Sequence, residues 1–91
     1  MFRFEYTKNA VRDLRQLDPQ VAKRILKKMD FFSKQEDILQ FAKKLTNSSL
    51  GEYRFRIGDY RVLFDVDEDG SRIKILMVLS IKHRREVYLD G

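Results

Sequence analysis

Hydrophobic and polar residues alternate along positions 2–6, which predicts a short β-strand at the start of the chain. Beyond Thr7 the apolar residues recur at three- and four-residue spacings, as they do in a helix that buries one side. Thr7 is suited to cap this first helix, while Asp18 and Pro19 end it and open a second helix as its N-cap and first residue. The second helix is predicted to run to about Ser33 and to form an antiparallel hairpin with the first. Its buried stripe comprises Val21, Ile25, Met29 and Phe32.

The stretch Tyr53–Phe64, YRFRIGDYRVLF, consists of two alternating runs joined by Gly58 and Asp59. Such a two-residue turn is the strongest short-range signal of a β-hairpin. Because the loop length fixes the register, one face of the hairpin carries only apolar cross-strand pairs. On the other face Arg56 lies opposite Arg61, and like charges in that position destabilise a sheet. We therefore expect these arginines to bind an anionic ligand.

The rest of the chain gives weaker signals. Residues 34–49 fit either a short third helix or an ordered loop. The third strand continues through Val66, an acidic turn follows, and a fourth strand carries an apolar alternation. Pairing Val66 with Ile73 gives compatible cross-strand neighbours, and a shift by two residues keeps the same faces. The alternating residues are Ile73, Ile75, Met77 and Leu79.

In either register the fourth strand returns Ser80 to the neighbourhood of Asp59 and Tyr60, the end of the sheet that carries Arg56 and Arg61. The segment that follows, IKHRREVY, contains the only histidine of the chain, three further basic residues and a tyrosine. Antiparallel pairing alone therefore predicts that these side chains converge on the paired arginines. They are Lys82, His83, Arg84, Arg85 and Tyr88.

Composition narrows the class of protein. With 91 residues, of which 43% are hydrophobic, the chain is expected to form one small globular domain over residues 1–91. It has no cysteine, no signal-peptide pattern and no stretch long enough to span a membrane, so a cytoplasmic location without a membrane partner is expected. The formal net charge of +5 is common among proteins that bind nucleic acid, although it is not restricted to them.

No metal or cofactor is predicted, because the single histidine has no cysteine near it and the acidic turn lacks the pattern of a calcium loop. RNA cleavage needs neither, since the 2′-hydroxyl of RNA can attack the adjacent phosphorus. Arginines could stabilise the negative charge that develops on the phosphate. His83 could transfer a proton, and Tyr88 could bind the 2′-oxygen. A basic cluster that holds nucleic acid without cutting it fits the same residues equally well.

The second helix also carries a basic face. Such a face is either an ordinary solvated surface or one that follows the phosphates of a large RNA. Its members are Lys23, Arg24, Lys27 and Lys28.

The order of elements, together with the segments YRFRIGDYRVLF and KHRREVY, resembles the RelE/ParE superfamily of toxins from toxin–antitoxin systems over nearly the whole chain. The resemblance implies an α+β, RelE-like fold, in which an N-terminal strand and a helical hairpin pack on one face of a twisted antiparallel β-sheet. By the same resemblance Arg54 and Arg56 match the basic pair of the second strand, Arg61 the arginine of the third, and Tyr88 the C-terminal catalytic tyrosine.

One position departs from the family pattern. Lys82 stands where one RelE-like pattern has arginine, whereas the local HR signature points to Arg84 with His83 beside it. The general acid therefore stays open among these three residues. The predicted catalytic residues are Arg56, Arg61, His83, Arg84 and Tyr88, and the predicted RNA-binding residues are Arg54, Lys82, Arg85, Lys23 and Lys27.

The RelE branch of this superfamily cleaves messenger RNA in the ribosomal A site. The resemblance thus implies a ribosome-dependent mRNA endoribonuclease that inhibits translation, with the ribosome, mRNA and a cognate acidic antitoxin as partners. Two alternatives are a ParE-like inhibitor of DNA gyrase and a catalytically inactive member that binds only RNA or a partner. The retained arginines and tyrosine favour the nuclease, because a gyrase inhibitor does not need groups for phosphate cleavage.

Overall fold

The fold is built on one β-sheet flanked by helices. The computed structural model describes residues 2–46, 49–67 and 74–89, with side chains up to residue 87. The strands span Phe2–Tyr6 (β1), Ala42–Lys44 (β2), Tyr53–Ile57 (β3), Tyr60–Asp67 (β4) and Lys74–His83 (β5). The helices span Lys8–Gln16 (α1), Pro19–Ser33 (α2) and Arg84–Leu89 (α3), and a 3₁₀ helix covers Ile38–Phe41. The strand order in the sheet is β1-β5-β4-β3-β2.

The main core lies between the sheet and the helices α1 and α2, which confirms the predicted α+β class. Helical side chains and strand side chains form one buried cluster, and fully burying an aliphatic or aromatic side chain contributes about 1.5–3 kcal/mol. No helix in the described part of the chain is long and apolar enough to cross a membrane. The cluster comprises Ala10, Ile25, Met29, Phe32, Ile38, Phe55, Ile57, Val62, Phe64, Leu76, Val78 and Ile81.

The two predicted helix starts are confirmed by their caps. The hydroxyl of Thr7 accepts a hydrogen bond from the backbone N–H of Ala10 at 3.1 Å. The carboxylate of Asp18 accepts one from the N–H of Gln20 at 2.8 Å, with Pro19 in the first helical position. These side chains satisfy N–H groups that have no partner inside the helix, and each cap stabilises its helix by about 1 kcal/mol.

The β3–β4 hairpin has the predicted register, with Arg56 opposite Arg61 and Phe55 opposite Val62. Gly58 has a φ of +59° and Asp59 has no positive φ. This is the pattern of a type II′ turn, in which only the first central residue has a positive φ. Phe55 is fully buried between two other rings, with centroid distances of 4.4 Å to Phe32 and 4.5 Å to Phe64. The apolar face of the hairpin therefore anchors the sheet to α2.

Two features of the sheet differ from the prediction. The sheet is mixed and not wholly antiparallel, because β1 runs parallel to β5, with Phe4 opposite Leu76. The segment after α2 forms a 3₁₀ helix followed by the edge strand β2, where only a helix or a loop was predicted. A three-residue edge strand is too short to show an alternating pattern.

The predicted pairing of the fourth strand is wrong. Val66 pairs with Leu76, and Ile73 with most of the acidic turn lies outside the described residues. Leu79 has no opposite residue on β4, since Phe64 pairs with Val78 and the next pair is Leu63 with Ser80. This β-bulge reverses the alternation along β5. The core-facing residues are consequently Leu76, Val78 and Ile81, in place of the predicted Ile75, Met77 and Leu79.

The outer edge of β5 beyond the end of β1 is covered by α1. Thr7 donates its backbone N–H to the carbonyl of Val78 at 3.0 Å and its hydroxyl to the carbonyl of Leu79 at 2.9 Å. Asp13 of α1 then accepts a hydrogen bond from the N–H of Ile81. These contacts provide partners for backbone groups that an edge strand would otherwise leave without any.

Candidate functional site

Three basic residues lie in one row across the hairpin end of the sheet. Arg61 on β4 pairs with Arg56 on β3 and with Lys82 on β5. The predicted convergence on the paired arginines is confirmed for Lys82 and His83, whereas the predicted position of Ser80 beside Asp59 and Tyr60 is wrong, because Ser80 pairs with Leu63. The residue opposite Tyr60 is His83, four positions later in the sequence than Leu79, which pairing Val66 with Ile73 would place there.

Arg56 and Arg61 do not form a two-armed clamp that faces solvent. Arg56 is exposed, but Arg61 is only 1% exposed. The Arg61 Nη1 donates to the carbonyl oxygens of Gly58 at 3.0 Å and Tyr60 at 2.9 Å. The partial negative charge of these carbonyls stabilises the guanidinium, which explains how the sheet accepts two arginines opposite each other. Through these two hydrogen bonds the Arg61 side chain stabilises the β3–β4 turn.

Helix α3 folds back over the sheet face that carries Arg61. Leu63 is buried although it alternates with the core residues Val62 and Phe64, and must therefore point to the opposite face. Val87 of α3 is also buried, and α3 contacts both β4 and β5. The small second layer formed by α3 removes this end of the sheet from water, which accounts for the burial of Arg61.

His83 lies on the helix-facing side of the sheet, on the opposite face from Lys82. It pairs with Tyr60, and the two rings meet edge to face with their centroids 5.4 Å apart. Lys82 instead lies in the row of Arg61 and forms an ion pair with Glu86 at 3.7 Å. The sheet therefore separates the candidate proton donors onto two faces, both at the hairpin end.

His83 and Glu86 cap the start of α3 in a variant of the capping box, in which the N-cap side chain accepts from the second helical residue and not from the third. The ring Nδ1 of His83 accepts a hydrogen bond from the N–H of Arg85 at 3.2 Å, and Glu86 Oε1 accepts one from the N–H of His83 at 3.3 Å. In this contact Nδ1 is the acceptor, which leaves Nε2 as the ring nitrogen that can donate to a ligand.

Two of the three candidate general acids reach the surface. The side chains of Lys82 and Arg84 are 33% and 52% exposed. Nδ1 of His83 is engaged by the N–H of Arg85, so only Nε2 of its ring is open to a ligand. The choice of general acid stays open among these three residues.

Arg84 is tied to the β3–β4 turn. Its N–H donates to the carbonyl of Asp59 at 2.8 Å, and its Nε lies 3.9 Å from Asp59 Oδ1. This exposed ion pair contributes less than about 1 kcal/mol, so its main effect is to keep the guanidinium beside the turn. Arg85 is exposed on the first turn of α3.

The remaining predicted site residues lie further from the turn. Arg54 is half-buried on β3, between Leu63 of β4 and Lys43 of the edge strand β2. Lys23 and Lys27 are exposed on α2, where they line a groove together with Arg56. Tyr88 belongs to α3, but its side chain lies outside the described part of the structure.

Three residues of this region were missed by sequence reasoning. Lys43 extends the basic face beside Arg54, and no signal predicted the strand that carries it. Asp59 forms an ion pair with Arg84, and Glu86 forms one with Lys82. Glu86 could have been found, because a glutamate three residues after a potential capping residue is the spacing of a capping box.

Chemically, the hairpin end of the sheet offers cationic and hydrogen-bonding groups. Arg56 and Arg84 present guanidinium groups that suit phosphate oxygens, and His83 offers a ring N–H. Among the described residues no three histidine, aspartate or glutamate side chains lie together as metal ligands. The site is therefore suited to bind a phosphodiester and to stabilise negative charge on it.

Comparison with known proteins identifies similar chains along most of the sequence. Residues 4–88 match the family described as ParE toxin of type II toxin-antitoxin system, parDE. The chain is 26% identical to toxin RelG of Mycobacterium tuberculosis over 83 residues, which cover 91% of each protein.

Two solved structures share the fold. A chain of the toxin–antitoxin complex RelBE2 from Mycobacterium tuberculosis aligns with a TM-score of 0.67 and 25% identity, covering 89% of this chain and 95% of that one. A chain of the archaeal RelE–RelB complex from Pyrococcus horikoshii OT3 aligns with a TM-score of 0.67 and 28% identity, covering 91% and 94%. Both structures are complexes of a toxin with its antitoxin.

Proposed function

We propose that this chain, which belongs to the ParE toxin family of type II toxin–antitoxin systems, acts by cutting messenger RNA on the ribosome. The observation that carries the proposal is the meeting of β3, β5 and α3 at the β3–β4 turn, which gathers Arg56, Lys82, His83 and Arg84 within one end of the sheet. The names of the similar proteins, RelG and RelE, point to the same branch of the superfamily.

In the proposed reaction the RNA supplies its own nucleophile, the 2′-hydroxyl next to the cleaved phosphate. The 2′-hydroxyl passes its proton to water as its oxygen forms a bond to phosphorus and the bond to the 5′-oxygen breaks. The products are a 2′,3′-cyclic phosphate and, once the 5′-oxygen takes a proton, a 5′-hydroxyl. Arg56 and Arg84 bind the phosphate oxygens as their charge grows. Lys82, Arg84 or the Nε2–H of His83 donates toward the leaving oxygen, and Tyr88 binds the 2′-oxygen.

Arg61 enters this proposal as a positioning residue. Its contacts with the carbonyls of Gly58 and Tyr60 hold the turn between Arg56 and the C-terminal segment. Direct contact of Arg61 with phosphate would require this side chain, only 1% exposed, to become accessible. We therefore assign phosphate binding to the exposed Arg56 and Arg84, with Arg54, Arg85 and the lysines of α2 as further RNA contacts.

An antitoxin is the proposed protein partner. The similar solved chains are each described in complex with an antitoxin. The net charge of +5 favours an acidic segment, which would cover the basic residues at the hairpin end or displace α3. In a complex of this chain with its antitoxin, Arg56 should lose exposed area, and an Arg56 as exposed as in the free chain would contradict this mode of inhibition.

The nuclease proposal is tested by primer extension on mRNA translated in a purified system. Wild-type protein should produce cuts within codons, and Arg56→Ala should reduce them by at least tenfold. The matched control is Arg3→Ala, which removes the same charge from the opposite edge of the sheet and should cut normally. Replacing the 2′-hydroxyl by hydrogen at the cut position should abolish cleavage, and persistent cutting there would refute attack by the 2′-oxygen.

A second candidate function is inhibition of DNA gyrase. It is favoured by the ParE description of the family and by the burial of Arg61, which leaves fewer groups free to act on a phosphate. A supercoiling assay run beside the primer extension separates the two. Lost supercoiling with intact transcripts would establish the gyrase target, and a chain without either effect would be an inactive, partner-binding member.

A further inference from the structure

We infer that the groove between α2 and the β3–β4 turn holds the RNA strand next to the cleaved phosphate, with one base stacked on Phe31. The groove is open and has a volume of about 840 Å³. It is lined by four cations of α2 and by Arg56, and none of its lining residues is acidic. The four cations are Lys23, Arg24, Lys27 and Lys28.

The charge of this groove is not neutralised within the chain. All five cations are exposed, and within residues 2–46, 49–67 and 74–89 none of them forms an ion pair with a described carboxylate. Lys34 at the end of α2 differs, because it pairs with Asp30 at 3.1 Å. An anionic strand is the ligand that such a row of cations fits.

An aromatic ring stands at the end of the groove. Phe31 is 46% exposed, unusually high for a large hydrophobic side chain that also makes specific contacts. Its ring packs edge-on against Phe41, with centroids 6.0 Å apart, and Lys28 Nζ lies 5.0 Å from its centroid. The ring is therefore fixed in place but open to water on one side, as in proteins that stack nucleic-acid bases on aromatic side chains beside a basic groove.

The groove leads to the candidate catalytic residues. A second cavity of about 260 Å³ shares Arg24, Ile57 and Gly58 with it and ends at Tyr60 and His83. A strand could thus run along α2, past the turn, and reach the imidazole without leaving the surface. Arg24 and Phe31 are seven residues apart, or about 10 Å along the same side of the helix.

An acidic peptide would also match the charge of the groove, but it would explain less. A peptide needs no flat exposed ring, and it has no reason to continue to His83. A single-stranded RNA uses the cations, the ring and the connection to His83 together. This inference rests on the proposed nuclease function, since it assigns the groove to the substrate of that reaction.

The test measures binding separately from cutting. A short fluorescent single-stranded RNA with 2′-O-methyl groups cannot be cleaved, and its affinity for the full-length protein is read by anisotropy over a series of salt concentrations. Phe31→Ala should weaken binding about tenfold, as expected for one stacked base, and Phe31→Tyr should restore it. The double variant Lys23→Ala/Lys27→Ala should reduce the salt slope by about 1.4, or 0.7 for each lost phosphate contact.

The matched control is Arg12→Ala/Arg15→Ala, which removes the same charge from α1, outside the groove. If this control weakens binding as much as the lysine variant, or if Phe31→Ala binds like wild type, the groove assignment is wrong. Stronger competition by an acidic peptide that also depends on Phe31 would assign the groove to a protein partner and overturn it as well. If wild-type protein left mRNA intact while RNA binding still depended on Phe31, the nuclease proposal would fail and the groove would stand as an RNA-binding site, so the two proposals can fail separately.

Discussion

Asp13 and Ile81 are joined by a hydrogen bond of 2.9 Å although 68 positions separate them in the chain. The carboxylate of α1 accepts the N–H of a strand residue that is only 5% exposed. Immediately after this contact come Lys82 and His83. The position of the candidate catalytic segment therefore depends on a helix at the other end of the sequence.

Replacing Asp13 should destabilise the protein by leaving the N–H of Ile81 without its acceptor. We expect Asp13→Ala to lower the free energy of unfolding by about 1–3 kcal/mol, measured by urea titration. Asp13→Asn keeps an acceptor oxygen and should lose clearly less. The control is Asp30→Ala, which removes an exposed ion pair with Lys34 and should change stability by less than about 1 kcal/mol.

Alanine substitution should change the free energy of unfolding very differently at the two arginines that face each other across the hairpin. Arg61→Ala removes a buried side chain and its hydrogen bonds to two carbonyls, and should cost about 2–5 kcal/mol of unfolding free energy. Arg56→Ala alters an exposed side chain and should stay within about 0.5 kcal/mol of wild type. Urea or thermal unfolding distinguishes them, and similar stabilities of the two variants would contradict the different roles assigned to them.

The two roles of His83 can be separated by a pair of substitutions. Asparagine is a good N-cap, so His83→Asn should preserve α3 while it removes the imidazole. His83→Ala should remove both and weaken the helix by about 1 kcal/mol, which corresponds to amide exchange in α3 about fivefold faster. Hydrogen exchange by mass spectrometry measures this directly. Equal protection of α3 in both variants would show that the ring does not cap the helix.

Tyr6 should make stability depend on pH in the alkaline range. Burial raises the pKa of Tyr6 above its ordinary value of 10.0, so the folded state holds the phenol proton more tightly than the unfolded state. The resulting contribution to stability is complete below pH 10 and falls as pH rises through the raised pKa. Tyr6→Phe removes only this contribution, so the stability difference between wild type and variant should change above pH 10. A difference that stays constant across that range would contradict the prediction.

The parts of the fold that could be predicted from the sequence are those fixed by neighbouring residues. Gly58 and Asp59 set the register of β3 and β4 because a two-residue loop leaves no freedom in the pairing. Asp18 and Pro19 fixed the start of α2 for a similarly local reason. The convergence of Lys82 and His83 on the hairpin followed from antiparallel pairing and did not require the correct register.

The features that could not be predicted depend on distant parts of the chain. The burial of Arg61 requires α3 on the outer face, and nothing near Arg61 in the sequence signals that layer. The strand β2 is recognisable only by its pairing with β3. The groove beside Phe31 arises where α2 meets the β3–β4 turn, so the sequence alone left the basic face of α2 open between a solvated helix surface and an RNA-binding one.

The bulge at Leu79 determines on which face of the sheet the side chains of Lys82 and His83 lie. Before the bulge the even-numbered residues of β5 point to the helices, and after it the odd-numbered residues do. If Leu79 were paired like its neighbours, without the bulge, the alternation would run unbroken through β5, so that Lys82 would turn toward the groove and His83 toward α3 with neither residue mutated. The placement of an ammonium on one face of the sheet and an imidazole on the other thus follows from one bulged residue in β5.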